Sequence, residues 1–390
     1  MPGSQGQALH AKLNKRREIN NLNQALLEEI HHAALGPGDD YYLPTSLVSA
    51  LKEEQCFSLL LPEYLGGRQM DFPDYIDLVQ TIARADGSTA WCVNQASVLA
   101  SLARLLPGDV AAKVWQSPSV SLANGPPSLC QSLESDDTYT LNGHWTFSSG
   151  IQFADFLLGM SPVTMKDGGK RFLWHLFAKS EANIIERWPV NGLKATGSFE
   201  FTVKNLEVPK SHTFEVRTRE EDPSLYQIPL NLLFACGFAA VALGVARAAM
   251  DIAISTAQEK FKRFAQKVMS EDTLSQSMVG QGQAIWQSAD AYLHQSVATV
   301  WDAIGEVGHC SQDNKIKLRI AATHVIRQSK EVTDIAYELC GTNSIIAESD
   351  LQTRFQDMHV ITQHLQGRPE IYSLVGKHYL GLAVKSPLLS

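Results

Sequence analysis

From Ile228 to Ala246 the chain runs without a single charge, rich in Gly and Ala and interrupted only by Pro229 and Asn231. A run of that length either crosses a bilayer or forms a helix covered on every side by protein. It has no second run like it, it contains an amide, and its small residues suit close helix packing, so a buried central helix is the expectation and no membrane partner is predicted. The chain has the material to cover such a helix. Its 390 residues exceed the usual size of one core, and 44% hydrophobic with 19% charged residues is the balance of a water-soluble globular protein.

Around this helix the hydrophobic period changes twice. Residues 9–105 read as mostly helical: Ile19, Leu22, Leu26 and Ile30 recur three and four apart, a second helix is expected from about Pro44 to Gln55, and a third from Asp71 to Ala85. Asp86-Gly87-Ser88 stops that helix, with Ser88 the expected N-cap of the next, Thr89 to about Leu105. After Pro107 the pattern becomes alternating. Tyr139, Leu141, Trp145 and Phe147 flank Asn142-Gly143, a two-residue hairpin signal, and strands are expected through 156–158, 172–177 and 199–203. A small antiparallel β domain follows from this. Helix then returns: the charge-free segment to about Phe264, Thr273 to Val307, and a stripe Leu318, Ala322, Val325, Ser329, Val332, Ala336, Leu339 closed by Gly341. The predicted class is α+β, mostly α, with a helical domain at 1–117, a β domain at 118–217 and a helix bundle at 218–390.

Composition narrows the function. A net charge of −8 and a pI near 5.8, with no basic cluster, argue against nucleic acid as a partner. Six scattered cysteines without a C-x-x-C pair suggest reduced thiols and a cytoplasmic setting, and Met1–Arg17 lacks the apolar stretch of a signal peptide. No metal site is indicated, because His359 and His364, five apart on one helix, would diverge by roughly 140°. Arg354 and Asp357, three apart, are expected to form an ion pair. No Gly-x-Gly-x-x-Gly follows a strand, so a nicotinamide site within this chain is not expected.

Gly341-Thr342-Asn343-Ser344 followed by Arg354-x-x-Asp357 resembles the C-terminal signature of the acyl-CoA dehydrogenase fold. Dehydrogenases of that family carry Tyr-Glu-Gly-Thr seven to ten residues after the aspartate, the glutamate being the base; here those offsets read His364, Leu365, Gln366 and Gly367. Phe234 stands where the alternative carboxylate is expected on the central helix. The histidine in place of an acid resembles the flavin-dependent monooxygenase branch of the same fold, in which a separate NAD(P)H flavin reductase delivers reduced flavin. Pro62-x-x-x-Gly66-Gly67, Gly87-Ser88-Thr89-Ala90-Trp91, Trp145-x-Phe147-x-Ser149-Gly150 and Gly192-Leu193-Lys194-Ala195-Thr196-Gly197-Ser198 fit this resemblance, which covers nearly the whole chain. The dehydrogenase nucleotide loop does not: this chain has Ala123-Asn124-Gly125-Pro126-Pro127-Ser128 there.

What the resemblance implies is an oxygenase using reduced FMN, with FAD an option, and O2 to hydroxylate a small molecule, an aromatic one by preference, in a homotetramer. His364 and Ser148 are the implied catalytic residues, with Ser149 an alternative to Ser148 at the flavin. Ser148, Ser149, Gly150, Thr196, Gly197, Ser198 and Trp174 are the implied cofactor contacts. Trp91, Asn94, Gln95 and Phe234 would surround the substrate, together with His359 on the side turned away from His364. A His364 imidazole of ordinary basicity would take a substrate proton or give one up. An acyl-CoA dehydrogenase, and a non-catalytic relative kept for assembly, are the other two readings.

Overall fold

A computed structural model describes residues 24–34, 41–262 and 266–389. Ile19 and Leu22 lie outside these residues; Leu26 and Ile30 are buried in α1 (Gln24–Ala34). The helical layer continues with α2 (Thr45–Glu53), α3 (Phe72–Ala85), α4 (Gly87–Ala100) and α5 (Gly108–Val114). Eight strands then form one sheet: β1 (Leu122–Asn124), β2 (Pro127–Glu134), β3 (Thr138–Ser148), β4 (Phe156–Thr164), β5 (Lys170–Ala178), β6 (Asn183–Ile185), β7 (Phe199–Pro209) and β8 (Thr213–Phe214). A bundle closes the chain with α6 (Leu230–Glu259), α7 (Thr273–Val307), α8 (Gln312–Cys340), α9 (Asp350–Ile361) and α10 (Glu370–Tyr379). Between α6 and α7 lies a two-residue pairing of β9 (Phe261–Lys262) with β10 (Lys267–Val268).

The charge-free segment is α6, and α3, α4, α7, α8 and α9 all pack against it. Of its most apolar 18-residue window 89% is buried inside the protein, so protein supplies the apolar surroundings. Gly237 is what lets α4 come close. A Cβ there would overlap Asn94 Oδ1, and Asn94 is fully buried, accepting from Tyr75 Oη at 2.6 Å.

The sheet runs β6-β7-β3-β2-β4-β5-β8, with β1 beside β4. It is mixed rather than antiparallel, since β1 and the end of β2 both pair with β4 in parallel. Those pairings span two or three residues, too short to leave a period in the sequence. The hairpin expected at Asn142-Gly143 is a second departure. β3 passes straight through this pair, the turn falling at 135–137, where Ser135 N–H donates to Thr138 O. Gly143 answers to packing instead of turning: a Cβ there would overlap the Trp145 ring, and the register with β7 shifts beside it. Asn142 serves that irregularity by accepting from Asn205 N–H at 2.8 Å.

Caps differ from expectation at two helices. Asp86, not Ser88, caps α4, its carboxylate accepting from Thr89 N–H at 2.6 Å. α9 stops at Ile361, so His364 does not lie on the helix that carries His359, and an angle reckoned along one helix does not relate them.

Candidate active site

His364 sits in the turn after α9, where Thr362 N–H still bonds Met358 O and His364 N–H bonds Ile361 O. Its ring meets Trp91 of α4 edge-on at 5.2 Å and Phe238 of α6 at 4.7 Å. Trp91 in turn stacks on Phe238 at 3.9 Å, and Phe234 continues the stack at 6.0 Å. Four rings from three elements thus make one aromatic wall with a single imidazole in it. Burial drives the His364 pKa down to about 4, helped by the positive charges of Arg319 and Arg368, so the ring is neutral at physiological pH. The residue as a whole is half-buried.

Trp91 links this wall to the β domain. Its Nε1–H donates to Ser149 Oγ at 3.1 Å, Ser149 Oγ lies 2.7 Å from Ser198 Oγ, and Ser198 Oγ lies 2.8 Å from Thr196 Oγ1, which donates to Leu193 O at 2.7 Å. Because the last donor is fixed and the first is an indole, the protons run one way, from Trp91 through Ser149, Ser198 and Thr196 to Leu193 O. Gly150 N–H bonds Thr196 O at 2.9 Å and ties the two loops together. Gly197 adopts φ +45°, and a Cβ there would overlap the Gln152 amide.

Ser148 is set apart from this group. It is fully buried, among the described residues its Oγ has no partner, and a Cβ on Gly125 would lie 2.6 Å from it. Ser148 is the last residue of β3, whereas Ser149 opens the turn that follows, its N–H bonded to Phe147 O at 3.0 Å. The hydroxyl brought to the His364 wall is therefore that of Ser149. Trp174 lies on β5 opposite Met160 and Phe214 and makes no ring contact with the wall among the described residues. His359 also stands apart from the wall. It pairs with Asp334 at 3.1 Å and packs on Phe355, on the solvent side of α9. Asn94 is core-facing, and Gln95 reaches Asn124 Oδ1 at 2.5 Å in the loop that replaces the dehydrogenase nucleotide motif.

Behind Leu193 stand two buried carboxylates, Asp86 and Asp357. Asp357 Oδ1 accepts from Leu193 N–H at 2.5 Å while Oδ2 has no partner among the described residues. Burial first and the Asp86 charge second push the Asp357 pKa up to about 7. The expected Arg354–Asp357 ion pair is not formed; Arg354 bonds Asp350 at 3.0 Å and Ala85 O at 2.7 Å. Helical side chains lean toward the N-terminus, which sends Arg354 back to Asp350. Sequence pattern alone does not mark Phe238, Arg319, Gln366 and Asp86 as site residues. The signals were faint: an aromatic four residues after Phe234, and one arginine beside an apolar stripe.

The donor set suits a flavin. Trp91 and Phe238 offer flat apolar faces, Ser149 and His364 offer polar contacts at the edge, and the charges bearing on His364 are both positive. Position 365 is a leucine and 234 a phenylalanine, so the carboxylate base of a dehydrogenase is lacking at both.

Fold and site point to one class, and the comparisons find the same likeness: the chain has the acyl-CoA dehydrogenase fold and is similar to flavin-dependent monooxygenases that share it. Residues 236–369 match the family described as acyl-CoA dehydrogenase, C-terminal domain. An indole-3-acetate monooxygenase of Pseudomonas putida is 28% identical over 374 residues, 94% of each chain. The oxygenase subunit HsaA, a flavin-dependent monooxygenase of Mycobacterium tuberculosis, is 24% identical over 92% of this chain and 94% of its own. Among solved structures, XiaF from Streptomyces in complex with FADH2 and glycerol superposes with TM-score 0.88 at 20% identity, covering 96% of this chain and 99% of its own.

Proposed function

We propose that this chain is the oxygenase component of a two-component monooxygenase that hydroxylates a small aromatic molecule. The reaction consumes substrate, O2 and reduced flavin and yields hydroxylated product, oxidised flavin and water, one oxygen atom going to each of the last-formed species, product and water. The observation that carries the reading is the joining of His364, Trp91 and Ser149 into one aromatic, carboxylate-free wall. Such a wall can stack a planar substrate and exclude water, which oxygen transfer requires. Relatives with this architecture are named as oxygenase components and as monooxygenases or hydroxylases of aromatic compounds, and solved neighbours hold FADH2 or FMN. Reduced FMN is the proposed cofactor, with FAD the alternative, and an NAD(P)H flavin reductase the proposed partner.

Within this reading Ser149 and Gly150 meet the flavin, Thr196, Gly197 and Ser198 hold Ser149 in place, and His364 acts as a neutral hydrogen-bond donor. Trp91, Phe234 and Phe238 confine the substrate. The assembly is a cytoplasmic homotetramer built through the bundle, supported by exposed apolar residues there, including Leu274, Val307, Ile345 and Ile346. The test is rapid mixing of protein loaded anaerobically with reduced FMN against O2. A transient flavin absorbance outliving that of free flavin, followed by hydroxylation of added indole-3-acetate or a phenol, is expected; reoxidation at the rate of free flavin with all oxygen recovered as hydrogen peroxide overturns the reading.

A further inference from the structure

Arg319 lies two turns into α8 with no accessible surface. Its guanidinium donates through Nη1 to Gln366 Oε1 and through Nη2 to Asn231 O at 2.8 Å, and Nε has no partner among the described residues. No carboxylate among the described residues pairs with it. Burial lowers its pKa to about 10, which leaves it charged at neutral pH. An uncompensated buried cation is costly, and an apolar side chain of similar volume would serve packing alone at lower cost. The charge therefore calls for a purpose.

Its surroundings supply one. One turn along the same face, Thr323 Oγ1 donates to Gln366 O at 3.0 Å, so α8 grips both the side-chain and the main-chain carbonyl of one residue. Gln366 N–H in turn points at His364 Nδ1 across a long 3.5 Å bond. An imidazole nitrogen that accepts carries no proton, so a neutral ring held this way has its proton on Nε2. We propose that Arg319 is a positioning residue for His364, acting through Gln366 to fix the turn so that Nδ1 accepts from the backbone and Nε2–H is the donor turned to the ligand. The nearby positive charge adds a second effect, opposing any further protonation of the ring. Arg368, in the same turn but exposed, acts in the same sense, while the rings of Trp91 on α4 and Phe238 on α6 pack against the imidazole. The inference relies on the monooxygenase reading only for what the ring serves; the tautomer and the charge stand on the fold.

The experiment is a histidine-labelled nitrogen NMR titration of the full, flavin-free chain from pH 5 to 8, with His364 assigned by difference against His364→Asn. Wild type is expected to remain neutral with the proton on Nε2 throughout. Arg319→Met should raise the apparent pKa toward the ordinary value near 6.5 and mix the two tautomers. Arg319→Lys, which keeps the charge, should restore a neutral ring at pH 5, and Thr323→Val, which loosens the same turn without removing charge, should leave it neutral. A folded Arg319→Met protein that titrates as wild type overturns the proposal, as does an equal shift in Thr323→Val, which would mark mere packing. Should Arg319→Met not fold, Gln366→Met decides: mixed tautomers support the relay and an unchanged Nε2–H tautomer overturns it. A pH profile of coupled turnover that gains an acid limb in Arg319→Met adds a functional readout. Lack of oxygenation would remove the proposed function and leave the titration to be judged on its own.

Discussion

Ser148 and Ser149 are neighbours in sequence with opposite situations, and the difference is measurable. Ser149 accepts from Trp91 and passes its proton to Ser198, so Ser149→Ala should lose two buried hydrogen bonds, about 1–3 kcal/mol by urea denaturation, and raise hydrogen peroxide release per flavin oxidised. Ser148→Ala removes a hydroxyl with no partner and should change stability by less than about 1 kcal/mol and leave coupling intact. Coupling lost in Ser148→Ala and kept in Ser149→Ala would reverse the assignment. The motif placed a hydroxyl at this corner, but which serine reaches the wall depends on where β3 ends and its turn begins, and the ladder with β7 shifts between Trp145 and Ser148, just before that point. Asp357 is a second residue whose state the sequence hides, because its neighbour Asp86 is distant in the chain. With its folded pKa near 7 against an unfolded value near 3.8, the folded protein holds a proton that the unfolded chain has released. Stability from this group is therefore lost as pH rises from about 4 to about 7, on the order of a few kcal/mol. Asp357→Asn should flatten that fall in denaturation midpoints between pH 5 and 8; an identical slope in both proteins would mean that Asp357 is already ionised when folded.

At the scale of elements, what the sequence showed best was period. The return to helical spacing near Pro229 matches the start of α6, because long buried stripes leave a repeated mark, whereas the switch expected at Pro107 comes late: α5 (Gly108–Val114) is still helical and the first strand starts at Leu122. Ends and turns were less legible. Asn142-Gly143 looks like a hairpin, yet Gly143 is there to admit the Trp145 ring, a tertiary need that imitates a local one. The end of α9 was likewise hidden, since nothing before Gly367 forbids helix, and this placed His364 on a helix face instead of in a turn. The contact of α4 with α6 gives a sharper test of such tertiary needs. Gly237→Ala would drive a methyl into Asn94 and disturb its bond from Tyr75, a cost of about 1–3 kcal/mol. In an Asn94→Ala background the same change should cost markedly less. Equal costs in the two backgrounds, measured as a double-mutant cycle in urea, would show that α4 approaches α6 through other contacts.

At the scale of the whole molecule, the helical layer, the sheet and the bundle meet at one place, where Trp91, Ser149 and His364 each arrive from a different layer. Removing the imidazole should therefore impair chemistry more than architecture: His364→Ala is expected to cut product formation by about 10²–10⁴ while raising peroxide release, with His359→Ala much milder because its partner is Asp334 on the far side of α9. The sequence has no glycine fingerprint for a dinucleotide after any strand. On the proposed reading, reducing equivalents come from outside as reduced flavin. Purified chain with FMN, O2 and substrate should oxidise neither NADH nor NADPH above the rate without protein, and hydroxylation should appear once a flavin reductase is added. Because free reduced flavin reacts rapidly with oxygen, product per NAD(P)H should rise with the ratio of this chain to reductase until it captures most of the flavin. Brisk NAD(P)H oxidation by the chain alone, or a yield that does not depend on that ratio, would count against a two-component system.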